Sequence, residues 1–350
     1  MNEDAERILR VPIPLPLIDR MDELISRRAG GFTTRAELIR EAVEAMVMEL
    51  AYPPAPSEPS TRAPSATGTT LRRPGPPTSG DGSSGPTNTE HWGWTALRAP
   101  SRGIQIEEGI AEVRLEPLFG VHNRDYPSLW AAVRLGALAS AELVPMDDFL
   151  EQVIAEAWDY GARLSELDRR FGFKVSALFP TNVSKPQSAA GVFASFAIGD
   201  YGRVGSRIVA SGPLFLWNIC QVQLVGGKPC IGTTGEGYDL LERLDGLTAA
   251  IPHDRKYADI FFEYLQKRAP VDWAGFAAVL ESVGSGITRP ELVQAFETHW
   301  PEWTATKAST NTAGYVARAR EWGLVGTKQI DRRYVLTEYG ETLSEQLRTA

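Results

Sequence analysis

Apolar and polar residues alternate near the start of the chain and then change to a helical spacing. Residues 10–15 alternate strictly between apolar and other side chains, which is the period of a half-buried strand. Over Leu17–Ala29, and again over Thr34–Leu50, apolar residues recur every three or four positions, as in an amphipathic helix. One strand and two helices of this size cannot bury these faces alone. Residues 8–50 are therefore expected to form a homodimer.

The first fifty residues resemble the ribbon-helix-helix family of DNA-binding proteins. The matching features are the strand that ends at Pro16, the helix Leu17–Ala29, the turn Gly31–Arg35 and the run Glu37–Ala42. In that family two strands pair into a ribbon that enters the major groove of double-stranded DNA. The N-terminus of the second helix holds a backbone phosphate through its free N–H groups and positive dipole. The resemblance implies a homodimer that binds double-stranded DNA.

The resemblance also assigns DNA-binding roles to individual residues. Outward strand side chains read base edges in this family, which places Arg10, Pro12 and Pro14 toward the bases. Proline offers no side-chain hydrogen bond, so base-specific contacts would fall to Arg10 and to Arg7. The phosphate clamp at the second helix would consist of Thr33, Thr34 and Arg35. The alternative is that this module only dimerises.

Composition divides the rest of the chain into a linker and a larger body. Residues 51–90 are rich in Pro, Ser, Thr and Gly, and such a segment is expected to be a disordered tether. The body after it shows mostly helical periodicity, which predicts a mainly α fold with small β elements. We divide it into a mostly helical domain at 91–250 and a C-terminal domain at 251–350.

Turn residues and apolar spacing give the expected elements of the body. The predicted helices are Pro127–Ala139, Pro145–Arg170, Gln187–Ile198, Arg255–Arg268, Trp273–Val283, Pro290–Thr298 and Ala308–Trp322. The predicted strands are Arg207–Ala210, Leu214–Val225 and Tyr334–Leu336. The pair Gly226–Gly227 predicts a hairpin turn, because both central residues of such a turn favour positive φ.

One short pattern occurs twice in the body. Thr234–Leu240 and Thr337–Leu343 share the form T-x-x-G-x-x-L, and each follows a strand-like segment and opens a helix. Helices that precede a hairpin, followed by one more helix, resemble the winged-helix family. The resemblance predicts a winged-helix-like unit at 251–350 and allows a second one within 91–250.

The C-terminal unit contains a second set of candidate DNA contacts. The segment Thr304–Trp322 carries short polar and basic side chains suited to a DNA groove, and the loop 328–333 would be a basic wing beside the phosphates. The residues predicted to bind DNA there are Lys307, Asn311, Arg318, Arg332 and Arg333. The alternative is a solvated helix face and an ordinary hairpin tip.

Charge and residue types limit the other possibilities. The net charge is −8, so any basic surface must be local. The two cysteines, Cys220 and Cys230, exclude a disulfide framework and a cysteine-built zinc site. The densest polar cluster, His122–Tyr126, is interpreted as a helix entry with Asp125 as its cap. No phosphate-binding glycine loop or catalytic group is recognisable, so we expect no enzyme, cofactor or metal site.

These patterns favour a DNA-binding regulator of transcription that acts as a cytoplasmic homodimer. The N-terminus lacks an apolar signal core, and no apolar run approaches the length of a membrane span. Two alternatives stay open. One is a plasmid or viral replication or partition factor, and the other is an adaptor that does not bind DNA, in which the N-terminal module dimerises and the body contacts proteins.

Overall fold

The computed structural model describes residues 92–349, except for 121, 172–174, 177–178, 184–185 and 205–206. The predicted ribbon-helix-helix module and linker, residues 1–90, lie outside the described residues. The described part is mostly helical with small sheets, as the sequence predicts. None of its helices combines the length and the apolar character needed to cross a membrane.

Helices and short strands follow one another through the described residues. The helices are α1 (Tyr126–Leu138), α2 (Met146–Phe171), α3 (Pro186–Phe193, continued by a π-helical turn Ala194–Ile198), α4 (Pro213–Leu216), α5 (Gly235–Arg243), α6 (Arg255–Arg268), α7 (Pro270–Val283), α8 (Arg289–His299), α9 (Ala305–Glu321) and α10 (Glu338–Thr349). The strands are β1 (Ala111–Val113), β2 (Val144–Pro145), β3 (Asp200–Val204), β4 (Arg207–Ser211), β5 (Cys220–Val225), β6 (Lys228–Thr233), β7 (Ile287–Thr288) and β8 (Arg333–Tyr334).

The described strands form three small sheets. Their orders are β1-β4-β3, β2-β6-β5 and β7-β8. β5 and β6 form an antiparallel hairpin in which Val225 pairs with Lys228. Gly226 and Gly227 connect them at φ of 59° and 83°, a conformation that glycine adopts without steric cost. The predicted hairpin turn is confirmed.

One hydrophobic core extends across the predicted boundary near residue 250. α1 is buried on nearly every side, which is the pattern of a central core helix. The cluster that contains its Leu129 also contains Phe261 of α6 and Trp322 at the end of α9. The described residues accordingly belong to one compact unit, and 91–250 and 251–350 do not have separate cores.

Two predicted elements differ from the structure. Pro145 does not open a helix but lies in β2, paired with Cys230, and α2 begins at the next residue. The predicted strand Leu214–Val225 is divided, because Gly212 at φ 97° and Pro213 start the short helix α4 before β5. Proline's fixed φ suits a first helical position, and a short apolar run by its period alone fits either a helix or a strand.

The repeated T-x-x-G-x-x-L pattern corresponds to a repeated local structure. In its first occurrence Thr234 caps α5, and its Oγ1 accepts a hydrogen bond from the Gly237 N–H at 2.9 Å. The Thr234 N–H donates to the Ile219 carbonyl at 2.9 Å. A side chain at Gly237 would overlap that same carbonyl oxygen, so α5 lies directly against the backbone just before β5.

The second occurrence has the same contacts. Thr337 Oγ1 accepts a hydrogen bond from the Gly340 N–H at 3.1 Å, and the Thr337 N–H donates to the Leu324 carbonyl at 3.0 Å. A side chain at Gly340 would overlap that carbonyl oxygen. We refer to residues 125–243 as the first copy and residues 270–349 as the second copy of this arrangement.

Candidate functional site

A buried carboxylate at the start of α1 joins the two copies. Asp125 is fully buried, and no hydrogen bond from its side chain caps its own helix. Its carboxylate instead accepts hydrogen bonds from Arg318 Nε at 2.7 Å and from Trp322 Nε1 at 2.6 Å. His122 Nε2 lies 2.7 Å from the same carboxylate. The predicted helix entry is confirmed, because Asp125 occupies the N-cap position of α1, but its side chain binds Arg318 and Trp322 and does not cap the helix.

Glu321 of α9 supplies the cap that Asp125 does not. Its carboxylate accepts hydrogen bonds from the backbone N–H of Asp125 at 2.6 Å and of Tyr126 at 3.2 Å. A carboxylate at a helix N-terminus satisfies free N–H groups and complements the positive end of the dipole. His253 Nε2 lies 3.4 Å from the same side chain. The first copy's central helix is therefore capped by the second copy.

Arg318 connects Asp125 to a second buried carboxylate, Asp272 of α7. Its two terminal nitrogens donate to the two oxygens of Asp272 at 2.8 and 2.6 Å, a bidentate geometry. The guanidinium also lies over the Phe276 ring, 4.5 Å from its centroid. Asp272 also accepts a hydrogen bond from the Tyr315 hydroxyl at 2.7 Å.

The charges in this cluster stabilise one another. Burial alone would raise the pKa of Asp125, but the charge of Arg318 and the hydrogen bonds from His122 and Trp322 lower it to about 2. Burial acts to lower the pKa of Arg318, yet the charges of Asp125 and Asp272 hold it well above its ordinary value. Both groups stay ionised at neutral pH. The three side chains are at most 1% exposed, so the cluster fixes the packing of the two copies and offers no surface to a ligand.

The buried cluster changes the interpretation of the helix predicted to contact DNA. Arg318 points into the core, and Asn311 is fully buried, with its Oδ1 accepting a hydrogen bond from the Gly120 N–H at 2.8 Å. Lys307 forms an ion pair with Glu116 at 3.3 Å. Arg318 and Asn311 are not available to a DNA groove, which corrects both predictions. α9 lies instead against the segment 116–120, which we call the covering segment.

Two glycines allow the covering segment to lie so close to α9. A Cβ atom at Gly314 would be 2.7 Å from the Gly120 Cα atom, and one at Gly120 would overlap the Thr310 carbonyl. Glycine inside a helix costs about 0.5–1 kcal/mol relative to alanine. Its presence in the middle of α9 was the sequence signal that another backbone approaches this helix.

The basic loop after α9 forms a two-residue hairpin turn. The Ile330 N–H donates to the Arg333 carbonyl at 3.0 Å, and the Arg333 N–H donates to the Ile330 carbonyl at 2.8 Å. The central residues, Asp331 and Arg332, have φ of 50° and 63°. Both arginines are exposed, and Arg333 also donates to the Gly286 carbonyl at 3.1 Å and lies 3.8 Å from Glu291.

The ribbon and clamp residues are Arg7, Arg10, Pro12, Pro14, Thr33, Thr34 and Arg35, and they lie outside the described residues. Cys220 and Cys230 are buried free thiols. Within the residues that the structure covers, no group of three or more His, Cys, Asp or Glu side chains could hold a metal ion.

No protein-family model, curated protein or solved structure matches this chain.

Proposed function

We propose that this chain is a DNA-binding regulator that dimerises through residues 1–50 and contacts phosphates through an exposed wing in residues 328–333. The N-terminal part of the proposal rests on the ribbon-helix-helix resemblance alone. The C-terminal part rests on the order of the elements in the second copy and on the conformation of one arginine. DNA binding through α9 is no longer part of the proposal, because that helix is covered.

The order of elements in both copies supports a winged-helix-like arrangement. In the second copy a helix, a short strand and two helices (α7, β7, α8, α9) precede the hairpin, and α10 follows it. β7 pairs with β8, and Val325 bridges Leu336, so the first strand lies beside the last. The first copy has the same sheet order, with β2 beside β6 and β6 beside β5. In such an arrangement the hairpin of the second copy would be the wing.

The proposed phosphate contact rests on the backbone conformation and the exposure of Arg332. A long side chain at φ 63° is in the left-handed region, which costs a non-glycine residue about 1–2 kcal/mol. Its exposed guanidinium has no partner among the described residues. Backbone strain of this kind concentrates at functional sites. At a position where the side chain has no function, glycine would be favoured. An unpaired arginine at an exposed hairpin tip suits a phosphate contact.

The test compares two substitutions within the same turn. Fluorescence anisotropy of the full chain with mixed-sequence duplex DNA is measured across a salt series for Arg332→Gly and Asp331→Gly. Both variants relieve a positive φ, but only the first removes a positive charge. Arg332→Gly is expected to weaken binding and to make the dependence of log affinity on log salt less steep by about 1.8 for the dimer, the loss of one phosphate contact in each protomer. Asp331→Gly should bind at least as tightly as the wild-type chain.

A third variant separates the ribbon from the wing. Arg10→Ala removes the one strand side chain that the resemblance assigns to base-specific contacts. It is expected to reduce the preference for a selected operator over mixed DNA, while Arg332→Gly weakens both by the same factor. Absence of binding by the wild-type chain at low salt would overturn the proposal. Unchanged affinity and slope in Arg332→Gly would remove the wing from it.

The burial of α9 favours an adaptor as the second candidate. The helix that a winged-helix unit places in a DNA groove is closed here by the covering segment and held by Lys307 and Asn311. The chain also carries a net charge of −8, which opposes non-specific attraction to DNA. In this candidate residues 1–50 dimerise and the body contacts a protein partner. A role in replication or partition would use the same DNA-binding surfaces as a transcription regulator.

A further inference from the structure

A cleft of about 240 Å³ is lined by residues 116–119 of the covering segment and by no residue of α9. It lies between His122 and residues within 114–119 on one side and the π-helical turn after α3 and the start of α4 on the other. Its inner wall is apolar and buried, formed by Leu118, Phe196 and Leu216. Ligand sites in proteins are commonly concave and mostly apolar, with a few polar groups that fix the orientation of the ligand.

The polar groups on the cleft differ in whether they already have partners. Glu116 is paired with Lys307 at 3.3 Å, and Asp200 accepts a hydrogen bond from the Ser195 hydroxyl at 2.8 Å. Both ring nitrogens of His122 face acceptors, one on Asp125 and one on the Phe196 carbonyl. Arg114 is exposed, and its guanidinium has no partner among the described residues. Among the charged side chains on the cleft, Arg114 is therefore the one whose donors are free to bind a ligand.

We propose that this cleft binds a small amphipathic carboxylate, with its apolar part on Leu118, Phe196 and Leu216 and its carboxylate on Arg114. Arginine presents a planar fork of donors that matches a carboxylate in a bidentate geometry. Neither acidic side chain on the cleft is paired with Arg114, because Glu116 contacts Lys307 and Asp200 contacts Ser195. This inference does not depend on DNA binding by the chain.

A ligand in this cleft would contact the covering segment. The Leu118 N–H donates to the Tyr315 hydroxyl at 3.1 Å, and the Gly120 N–H donates to Asn311, so the same segment also holds α9. A ligand that binds this arrangement stabilises it by mass action. Occupancy of the cleft therefore favours the state in which α9 is covered.

The experiment uses three six-carbon probes that differ only in the head group: hexanoate, hexanol and hexylamine. Isothermal titration and thermal unfolding of the full chain are measured with each probe. Hexanoate is expected to bind and to raise Tm, hexanol to bind more weakly and hexylamine to give no shift. Arg114→Met keeps the apolar stem and removes the charge. This variant should bind hexanoate at least tenfold more weakly, which corresponds to the loss of roughly 1.4 kcal/mol from one charged hydrogen bond. Its affinity for hexanol should be unchanged.

Two further variants make the result specific to this cleft. Arg98→Met is the matched control, because Arg98 does not line the cleft and its side chain is 75% exposed, 3.9 Å from Asp245. It should bind hexanoate like the wild-type chain. Ser211→Leu places a larger side chain on the cleft wall and should weaken the binding of both hexanoate and hexanol. The proposal is overturned if hexylamine binds as tightly as hexanoate, or if Arg114→Met and Arg98→Met have the same affinity for hexanoate.

Discussion

Trp217 of the first copy donates its indole N–H to Asp272 of the second copy at 2.8 Å. The reciprocal bond is also present, since Trp322 of the second copy donates to Asp125 of the first at 2.6 Å. Arg318 lies between the two carboxylates and binds both. Each tryptophan thus hydrogen-bonds to an aspartate of the other copy. This exchange explains why the two copies share a core and form one unit.

The sequence around the two tryptophans supports an internal duplication. Trp217 comes two residues before Ile219, and Trp322 comes two residues before Leu324. The carbonyl groups of those two apolar residues accept the hydrogen bonds from Thr234 and Thr337. The same tryptophan-to-threonine relationship therefore occurs twice, although the segments between the helices differ in length. A short sequence match was reliable here because it marked a backbone contact that needs threonine and glycine.

Arg318→Met is expected to be strongly destabilising. The substitution leaves Asp125 and Asp272 buried without their shared cation, and such a loss costs about 3–5 kcal/mol. Denaturant unfolding of the full chain measures it as a lower midpoint. Arg169→Ala is the control, because the Arg169 side chain is 75% exposed and its ion pair with Glu166 lies on the surface. If the two variants unfold at the same midpoint, the buried cluster contributes nothing to stability.

The low pKa of Asp125 predicts a loss of stability in acid. A carboxyl group whose pKa is lower in the folded chain stabilises it above the ordinary pKa, and that stabilisation is lost as pH falls through the folded value. For Asp125 this stabilisation is lost as the pH falls from about 3.8 to about 2. The contribution is roughly 2 kcal/mol at neutral pH.

Asp125→Asn tests the contribution because it removes the titrating proton and keeps the shape. Urea unfolding from pH 6 to pH 2.5 should show a smaller loss of stability for Asp125→Asn than for the wild-type chain. The difference between the two profiles isolates this group from the exposed carboxylates. Parallel profiles would mean that the folded and unfolded chains bind the proton at Asp125 equally well.

The sequence predicts elements well where local signals determine them. The bounds Arg255–Arg268 of α6 agree with the prediction, because Asp254 caps the helix by accepting from the Lys256 N–H at 3.0 Å and the apolar period is regular. The Gly226–Gly227 hairpin is likewise a local signal. Strand pairing at Pro145 is not local, since its partner Cys230 is distant along the chain.

The candidate site was harder to predict because it depends on which surfaces meet. Periodicity showed that α9 has an apolar stripe, but it could not show that the polar face is also buried. Arg318 and Asn311 are buried polar residues whose partners, Asp125, Asp272 and Gly120, come from distant segments. A polar residue on a helix is exposed unless a partner satisfies it, and a single sequence does not show the partner.

Gly237→Ala and Gly340→Ala are expected to destabilise the chain to a similar extent. In each case the new methyl group would overlap a carbonyl oxygen, that of Ile219 or of Leu324, and the helix would have to move. Overpacking of this kind costs roughly 1–3 kcal/mol. Gly191→Ala should have the opposite effect, because that residue is exposed in α3 with nothing within 4 Å of the new atom. A helical alanine there should add about 0.5–1 kcal/mol.

Thermal unfolding of the three glycine variants provides the measurement. The equivalence of the two copies requires Gly237→Ala and Gly340→Ala to lower Tm together while Gly191→Ala raises it. A variant pair in which only one glycine is sensitive would show that the two threonine-to-glycine caps do not have equivalent packing in the folded chain.

Arg332→Gly is expected to stabilise the chain while it weakens DNA binding. Glycine adopts φ 63° without the steric clash that arginine meets. The expected gain in the free energy of unfolding is about 0.5–1 kcal/mol, once the greater entropy that glycine gives the unfolded chain is subtracted. Arg333→Gly serves as the control, because it removes the hydrogen bond to Gly286 and relieves no positive φ. It should lower stability. If Arg332→Gly also lowers stability, the arginine is held by folded-state contacts, and the strain that supports a functional wing is absent.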